Sequence, residues 1–459
     1  MAAAARVDVP VTFRSGGTSL SGQAGTDGVL VDTRKGFRHI AVLNEGLRVR
    51  AGSGATLRSV NARLLRYGRK LGPDPASEIA CTIGGVVANN SSGMECGTEQ
   101  NAYRTIESAV LVLPGGTVVD TAHPDADERL RVSEPRLYQG LERLRDRVRA
   151  DRASVATIAR LYSLKNTMGY GLNSFLDHER PVDLLLHLAV GSEGTLAFVA
   201  EATFRTVPLV SQLATGLLIF EDLAAATAAL PAVVSAGFAT IELMDAASLV
   251  VARCDPSATP DLLGLTVRNH AALLVEYREE SEEDLNRQLV AAGTLLGSLP
   301  LVAPGDMSTD AGRRAALWHI RKGLFTAVAS ARPSGTTALL EDIAVPIDRL
   351  YSTCHELMEL FRRHEYGDSV IFGHAKDGNI HFMLTERFDD PACIARYEAF
   401  TEDMVELVLR EEALSKQSTA QGGSWHPSSS GNTAPSCMRS SARSRPSSIL
   451  SGCSIRAFW

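Results

Sequence analysis

Two long loops rich in Gly, Ser, Thr and Asn constrain this chain more than anything else in it. They lie in a stretch from Pro10 to Gly97, which opens PVTFRSGGTSLSGQAGTDGVLVD and closes with LGPDPASEIACTIGGVVANNSSGMECG. Each loop follows a short apolar run. Glycine lets a backbone come close and adopt positive φ, and successive N–H groups with small hydroxyls supply donors without bulk. A buried diphosphate needs this composition. Neither loop is a G-x-G-x-x-G turn after a first strand or a G-x-x-x-x-G-K-[ST] loop, so the two common nucleotide fingerprints are absent here. Two such loops in sequence, both dense in donors, are hard to explain as simple turns.

The rest of the composition narrows the class. With 459 residues, two or three domains are expected. A net charge of −7 gives no reason to expect nucleic acid or an anionic membrane surface as partner. No apolar run reaches the length that spans a bilayer, and MAAAARVDVP turns polar too quickly for a signal peptide. Seven cysteines without a C-x-x-C pair argue against a disulfide framework, a zinc ribbon or an iron–sulfur cluster on this chain, and for a reducing, cytoplasmic setting.

In chain order, residues 2–9 read as the end of a helix and Val11–Phe13 as a strand. GVLVD, HIAVL and LRVRAG read as short strands between Gly28 and Gly52. Thr56 to Tyr67 reads as a helix with Thr56 as N-cap and Gly68 past its end. Gly84 and Gly85 open a second helix, whose N-terminus suits a diphosphate. Ala109–Leu113 and Thr117–Thr121 flank Pro114-Gly115-Gly116 as a hairpin. Residues 122–160 are charged and helical, and their arginines read as a solvated face. Leu184–Val190 reads as a buried strand. After it come a loop and strand, GSEGTLAFVAEATFRTVP, closed by Pro208. From Ser211 helices and strands alternate as in an α+β domain with an antiparallel sheet and helices on one face.

GHAKDGNIHF (373–382) is the sharpest motif of the second half. Its glycines and the Asp377-Gly378-Asn379 turn make it strand–turn–strand. A tight turn can bring His374 and His381 to one face, where imidazoles suit Zn²⁺ or Mn²⁺ if a carboxylate completes the site. Two histidines across a turn are by themselves more often structural. Arg321, in ALWHIRKGLF, reads either as an anchor for a substrate carboxylate or as a surface arginine beside Lys322. Glu341 and Asp342 read as a third ligand or a strand-end pair. His319 and His187 read as packed or surface histidines.

RSGGTSLSGQ, LGPDPAS, TIGGVVANNSSG and VGSEGTLAFVAEATFRTVP resemble the PCMH-type FAD-binding domain of the vanillyl-alcohol oxidase kind. The chain is similar, over roughly residues 10–412, to D-lactate and D-2-hydroxyglutarate dehydrogenases, above all to large bacterial members with a C-terminal iron–sulfur half. The resemblance implies an α+β fold in three parts. A two-subdomain FAD-binding domain occupies 1–208, lacking a preceding strand and helix and so leaving an unpaired edge. An incomplete FAD-linked oxidase C-terminal domain that holds the substrate occupies 209–412, and an aberrant, disordered Ser-rich tail occupies 413–459. FAD would lie on Arg14, Ser15, Gly16, Gly17, Thr18 and Ser19 of the first loop, and on Pro73, Asp74 and Ser77. Gly84, Gly85, Asn89, Asn90, Gly93 and Gly97 continue the cradle, and Gly191, Glu193 and Gly194 clamp it. His374 and His381 would hold Zn or Mn, and Arg321 the substrate carboxylate.

The implied reaction is oxidation of a D-2-hydroxy acid (lactate, 2-hydroxyglutarate or glycolate) to the 2-oxo acid, with electrons passed to a quinone, cytochrome or iron–sulfur partner. A homodimer, and a place at the inner membrane face, are family expectations. Two other readings stay open: an oxygen-using flavin oxidase of sugars or alcohols, and an inactive remnant of a broken gene. The second has its own support. The last 47 residues contain no Asp or Glu. Shifted by two nucleotides, codons for ALSKQSTAQGGSWH can be read as A-L-K-A-E-H-G-T-G-R-L-M-A. Relatives carry a Glu-His-Gly motif there, which supplies a metal ligand and the general base. A frameshift near Ala413 would remove both, and His426 is not their equivalent.

Overall fold

The structure, a computed structural model, describes residues 1–19, 24–167, 169–256 and 258–417. The chain divides into two units, one holding Met1–Leu209 and the other the described residues from Val210 onward.

In the first unit, β1 (Val11–Arg14) and β2 (Val29–Asp32) pair in parallel as a separate two-stranded sheet. The main sheet is antiparallel. β3 (Ile40–Leu43), β4 (Arg48–Gly52), β8 (Phe198–Pro208), β6 (Ile106–Val112) and β7 (Val118–Asp120) lie in that spatial order, and β5 (Arg69–Leu71) also pairs with β8. Alternate residues of these strands, among them Val49, Ala51, Leu111, Ala202 and Phe204, are buried with Val60 and Leu64 of the helix Leu57–Leu64. Local signals place that helix as expected: Thr56 Oγ1 accepts the Ser59 N–H at 3.2 Å, and Gly68 ends the following turn at φ 64°.

One expected element changes type. Leu184–Val190 is not a strand but most of the helix Pro181–Ala189, in which every residue except Asp183 is buried. A helix buried on all sides has no polar face, so its apolar run carries no helical period. Pro181 in the first turn is the remaining signal. His187, on this helix, is a packed residue: its ring stacks on His178 at 3.8 Å, and Nδ1 lies 2.9 Å from the Asp183 carbonyl.

Burial, with His178 beside it, pushes the His187 imidazole down to about 4. Its folded value lies below the unfolded one. Its contribution to stability is therefore complete above about pH 6.5 and is lost as pH falls from there toward 4. The expected size is on the order of 3 kcal/mol. Chemical-denaturation curves of wild type and His187→Phe should diverge across that window, with wild type losing more stability on acidification. Parallel curves would refute this.

The second unit is built on one antiparallel sheet. Its strands are β9 (Gln212–Phe220), β10 (Thr240–Met244), β11 (Ala271–Glu279), β12 (Thr337–Ala344), β13 (Val370–His374), β14 (Asn379–Glu386) and β15 (Leu414–Gln417). Their spatial order is β15-β12-β14-β13-β10-β11-β9. Helices cover both faces rather than one. Leu218, Leu243, Leu273, Ile371 and Phe382 pack with the helices Leu223–Ser235, Leu350–Arg363 and Pro391–Arg410. The next residue along each strand, Ile219, Met244, Leu274, Phe372 and Met383, packs with Ala246–Arg253 and Ala311–Ala331. Nearly continuous apolar strands such as AALLVEY follow from a sheet buried on both sides.

The first residues of the expected tail are extended. Leu414–Gln417 form β15 on the edge of β12, in register from Ala344↔Leu414 to Glu341↔Gln417. An open strand edge accepts a neighbour through main-chain groups, whatever its side chains. Residues 418–459, with the rest of the Ser-rich stretch and its alternative frame, lie outside the described residues.

Candidate active site

The predicted cofactor loops gather in the first unit. Ser15 is at their centre: its Oγ lies 3.0 Å from Thr33 Oγ1, donates to the Ser53 carbonyl at 3.2 Å and touches Thr82 Oγ1. The clamp residues dock onto the helix Ile83–Ala88, with Gly191 N–H donating to Val87 O at 3.0 Å and Glu193 N–H to Ala88 O at 2.8 Å. Asn90 turns its Oδ1 inward to accept the Tyr103 N–H at 2.9 Å. Asp74 accepts the N–H groups of Glu95 and Cys96 at 2.9 and 3.1 Å and so holds the loop that begins at Gly93. Burial, together with the Glu95 carboxylate, pushes the Asp74 carboxyl up to about 6.

Two features of this cradle appear only in the structure. First, many of its glycines approach other loops. A Cβ on Gly16 would lie 2.6 Å from Ala80 O, one on Gly84 2.7 Å from Ser53 Cβ, and one on Gly93 2.2 Å from Asp74 O. Gly194 has open space beside its backbone, and the nearest atom to a Cβ on Gly85 would be Thr82 Oγ1 at 3.9 Å. Second, the helix at Gly84 does not offer its first donors to a ligand. Ile83 N–H and Gly84 N–H donate to Ala55 O and Ser53 O, both at 2.9 Å. A polar atom of the cradle remains for a bound group: Ser53 Oγ is buried and has no partner among the described residues. An orphaned hydroxyl amid converging loops, with open space at Gly85 and Gly194, fits a polar cofactor.

The second unit assembles the histidines. Directly opposed residues of paired strands share a face, as do residues two apart. Glu242 opposes His374, and Phe372 and Asp342 both oppose His381, so these residues lie in two neighbouring rows on one face of β10, β13, β14 and β12. The turn between the histidines is made by Gly378 at φ 64°. His374 and His381 face each other, Nε2 to Nε2, at 3.2 Å. Two nitrogens at about 2.0–2.1 Å from one tetrahedral Zn²⁺ are about 3.3 Å apart.

Their outer nitrogens face carboxylates. His374 Nδ1 is 2.8 Å from Glu242 Oε1, and His381 Nδ1 is 3.4 Å from Asp342 Oδ1. An ionised carboxylate only accepts, so these partners assign the Nδ1–H form to His374 and leave a lone pair on its Nε2. His381 then cannot satisfy both sides as a neutral ring. Donating from Nε2 turns an Nδ1 lone pair on Asp342; donating from Nδ1 sets two Nε2 lone pairs against each other. A proton on His381 or a cation between the Nε2 atoms resolves this, and a carboxylate behind each ring is the usual outer support of metal-ligating imidazoles. The two imidazoles therefore fit a divalent metal, although no group of three or more His, Cys, Asp or Glu residues able to hold one occurs among the described residues.

The remaining predictions fare differently. Arg321 is neither a surface residue nor an open guanidinium. It is buried, Nη2 lies 2.5 Å from Glu242 Oε2, and its guanidinium sits 4.9 Å from the centre of the Phe372 ring. Leu317, Ile320 and Leu324 of the same helix pack on the sheet, and Arg321 lies on that apolar stripe. Glu341 cannot join the histidines. It opposes Phe382 on the other face of the sheet and accepts from Tyr397 Oη at 3.3 Å. Asp342 stands behind His381, not beside a shared ligand. His319 is largely exposed near Asp255. Glu242, fully buried, was missed; its only trace is a single acidic residue within the apolar strand TIELM.

Comparison with known proteins agrees with this division. A model described as "FAD binding domain" matches residues 1–122, and one described as "FAD linked oxidases, C-terminal domain" matches residues 211–412. A D-2-hydroxyglutarate dehydrogenase of Pantoea ananatis is 25% identical over 429 residues, covering 88% of this chain and 40% of that protein. Glycolate oxidase subunit GlcD of Bacillus subtilis is 26% identical over 389 residues, covering 82% and 68%. The chain thus spans about two-fifths of the length of the D-2-hydroxyglutarate dehydrogenases that it matches. Among solved structures, alkyldihydroxyacetonephosphate synthase shares the fold, with a TM-score of 0.62 at 14% identity over 90% of this chain and 69% of the other. Among the described residues no helix is long and apolar enough to cross a membrane. With an FAD-binding domain followed by the oxidase C-terminal domain, the chain carries the two family domains of FAD-linked oxidases.

Proposed function

We propose that the chain is an FAD-dependent dehydrogenase of D-2-hydroxy acids, acting on D-2-hydroxyglutarate, D-lactate or glycolate. The observation that carries this reading is the His374–His381 pair, with Nε2 atoms 3.2 Å apart and a carboxylate behind each ring. It is supported by relatives at about 25% identity that are named for these substrates. FAD, when bound, supplies the hydride acceptor. His374 and His381 would hold Zn or Mn, which makes a 2-hydroxyl more acidic and fixes its carbon for hydride loss. The chain's own groups keep the imidazoles turned inward. Glu242 also neutralises Arg321, so an incoming carboxylate meets a balanced ion pair rather than a bare cation. Electrons leave to a quinone, cytochrome or iron–sulfur acceptor. A homodimer in the cytoplasm, peripheral at the inner membrane face, belongs to the same reading.

Purified protein is expected to be yellow and to bleach anaerobically on addition of D-2-hydroxyglutarate, D-lactate or glycolate. The flavin spectrum reports this directly. Yellow protein that none of the three bleaches would overturn the substrate reading. Colourless protein would mark the chain as a remnant without flavin.

A further inference from the structure

We propose that Glu242 is the positioning residue of this site, holding His374 in the tautomer whose Nε2 faces His381 and joining that ring to Arg321 through one carboxylate. The inference rests on the reading of the histidine pair as a metal-binding face, and goes beyond it by naming what orients that face.

Glu242 is completely buried, in the middle of β10. Its two oxygens have different partners: Oε1 lies 2.8 Å from His374 Nδ1, and Oε2 2.5 Å from Arg321 Nη2. A carboxylate buried without a counter-charge would be strongly disfavoured, and Arg321 stands at its second oxygen as that counter-charge. The ionised form can only accept, and it accepts from Nδ1–H. Thus the arginine on the helix Ala311–Ala331 acts on the imidazole on β13 through the acid on β10.

A purely structural role makes a different prediction. If Glu242 serves only to neutralise Arg321, removing both charges should leave the His374 ring unaffected. The test uses the full chain with ¹⁵N-labelled histidine, stripped of metal by EDTA, and two double variants that carry no buried ion pair. Glu242→Leu with Arg321→Met removes the acceptor. Glu242→Gln with Arg321→Met keeps an amide oxygen where Oε1 stands. Long-range ¹H–¹⁵N spectra report the His374 tautomer, and Co²⁺ titration followed by visible absorption reports the metal face.

Wild type should show the Nδ1–H form of His374. The Leu/Met variant should lose it and bind Co²⁺ about 10- to 100-fold more weakly, and the Gln/Met variant should recover the tautomer and most of the affinity. The proposal is overturned if the Leu/Met variant keeps the wild-type tautomer, or if both doubles behave alike. Absence of Co²⁺ binding by wild type would sink the metal reading alone, because the tautomer comparison still decides the role of Glu242.

Discussion

Gly378→Val should lower the unfolding free energy of the second unit by about 4 kcal/mol or more. Gly378 has φ 64°, where a β-branched residue is strongly disfavoured, and an added Cβ would lie 1.9 Å from the Val345 carbonyl oxygen. That contact is with backbone and cannot be relieved by a rotamer change. The Val345 N–H also donates to Gly378 O at 2.9 Å, a bond the displaced turn would lose. Because the turn joins the strands that carry His374 and His381, divalent-ion binding should fail with the fold. A urea midpoint equal to wild type would refute the strain argument.

The second large effect is expected from Arg321→Met. Arg321 is 5% exposed and Glu242 0%, so removing the arginine leaves a carboxylate buried without its partner. Breaking one side of such a pair lowers stability by about 3–5 kcal/mol. Replacing both sides, Glu242→Leu with Arg321→Met, should recover most of that loss, since apolar groups of similar volume often substitute for a buried pair. Equilibrium unfolding of the single and double variants measures both quantities. A single variant as stable as wild type would show that the pair is not isolated from water as its burial implies.

What could be read from the sequence depended on how local each signal was. The helix after Thr56 announces both ends through residues within its own turns. The strand–turn–strand at 373–382 is set by Gly378, and the face shared by its histidines follows from the turn. By contrast, Leu184–Val190 lost its period because its helix is buried all round, and apolar residues alone do not distinguish that from an inner strand. Glu242 is a harder case: it pairs with a histidine 132 residues away, and no spacing rule connects them. Arg321 was singled out for its chemistry, but a guanidinium in sequence does not show that a buried carboxylate, Glu242, stands beside it. In the glycine-rich loops, composition identified close approach. It could not show that several of the approaching groups are other parts of the same cradle.

The hairpin of β13 and β14 lies inside the sheet, with β10 on one side and β12 on the other. The distance between its two imidazoles is thus set by strand spacing and paired main chain before any ion arrives. On the proposed metal-binding reading, the pair would act as a rigid chelator rather than a zinc finger, with the fold formed first and the ion loaded afterwards. An ion held there could be withdrawn and returned without melting the domain, and exchange of one metal for another would be governed by access and ligand preference, not by refolding.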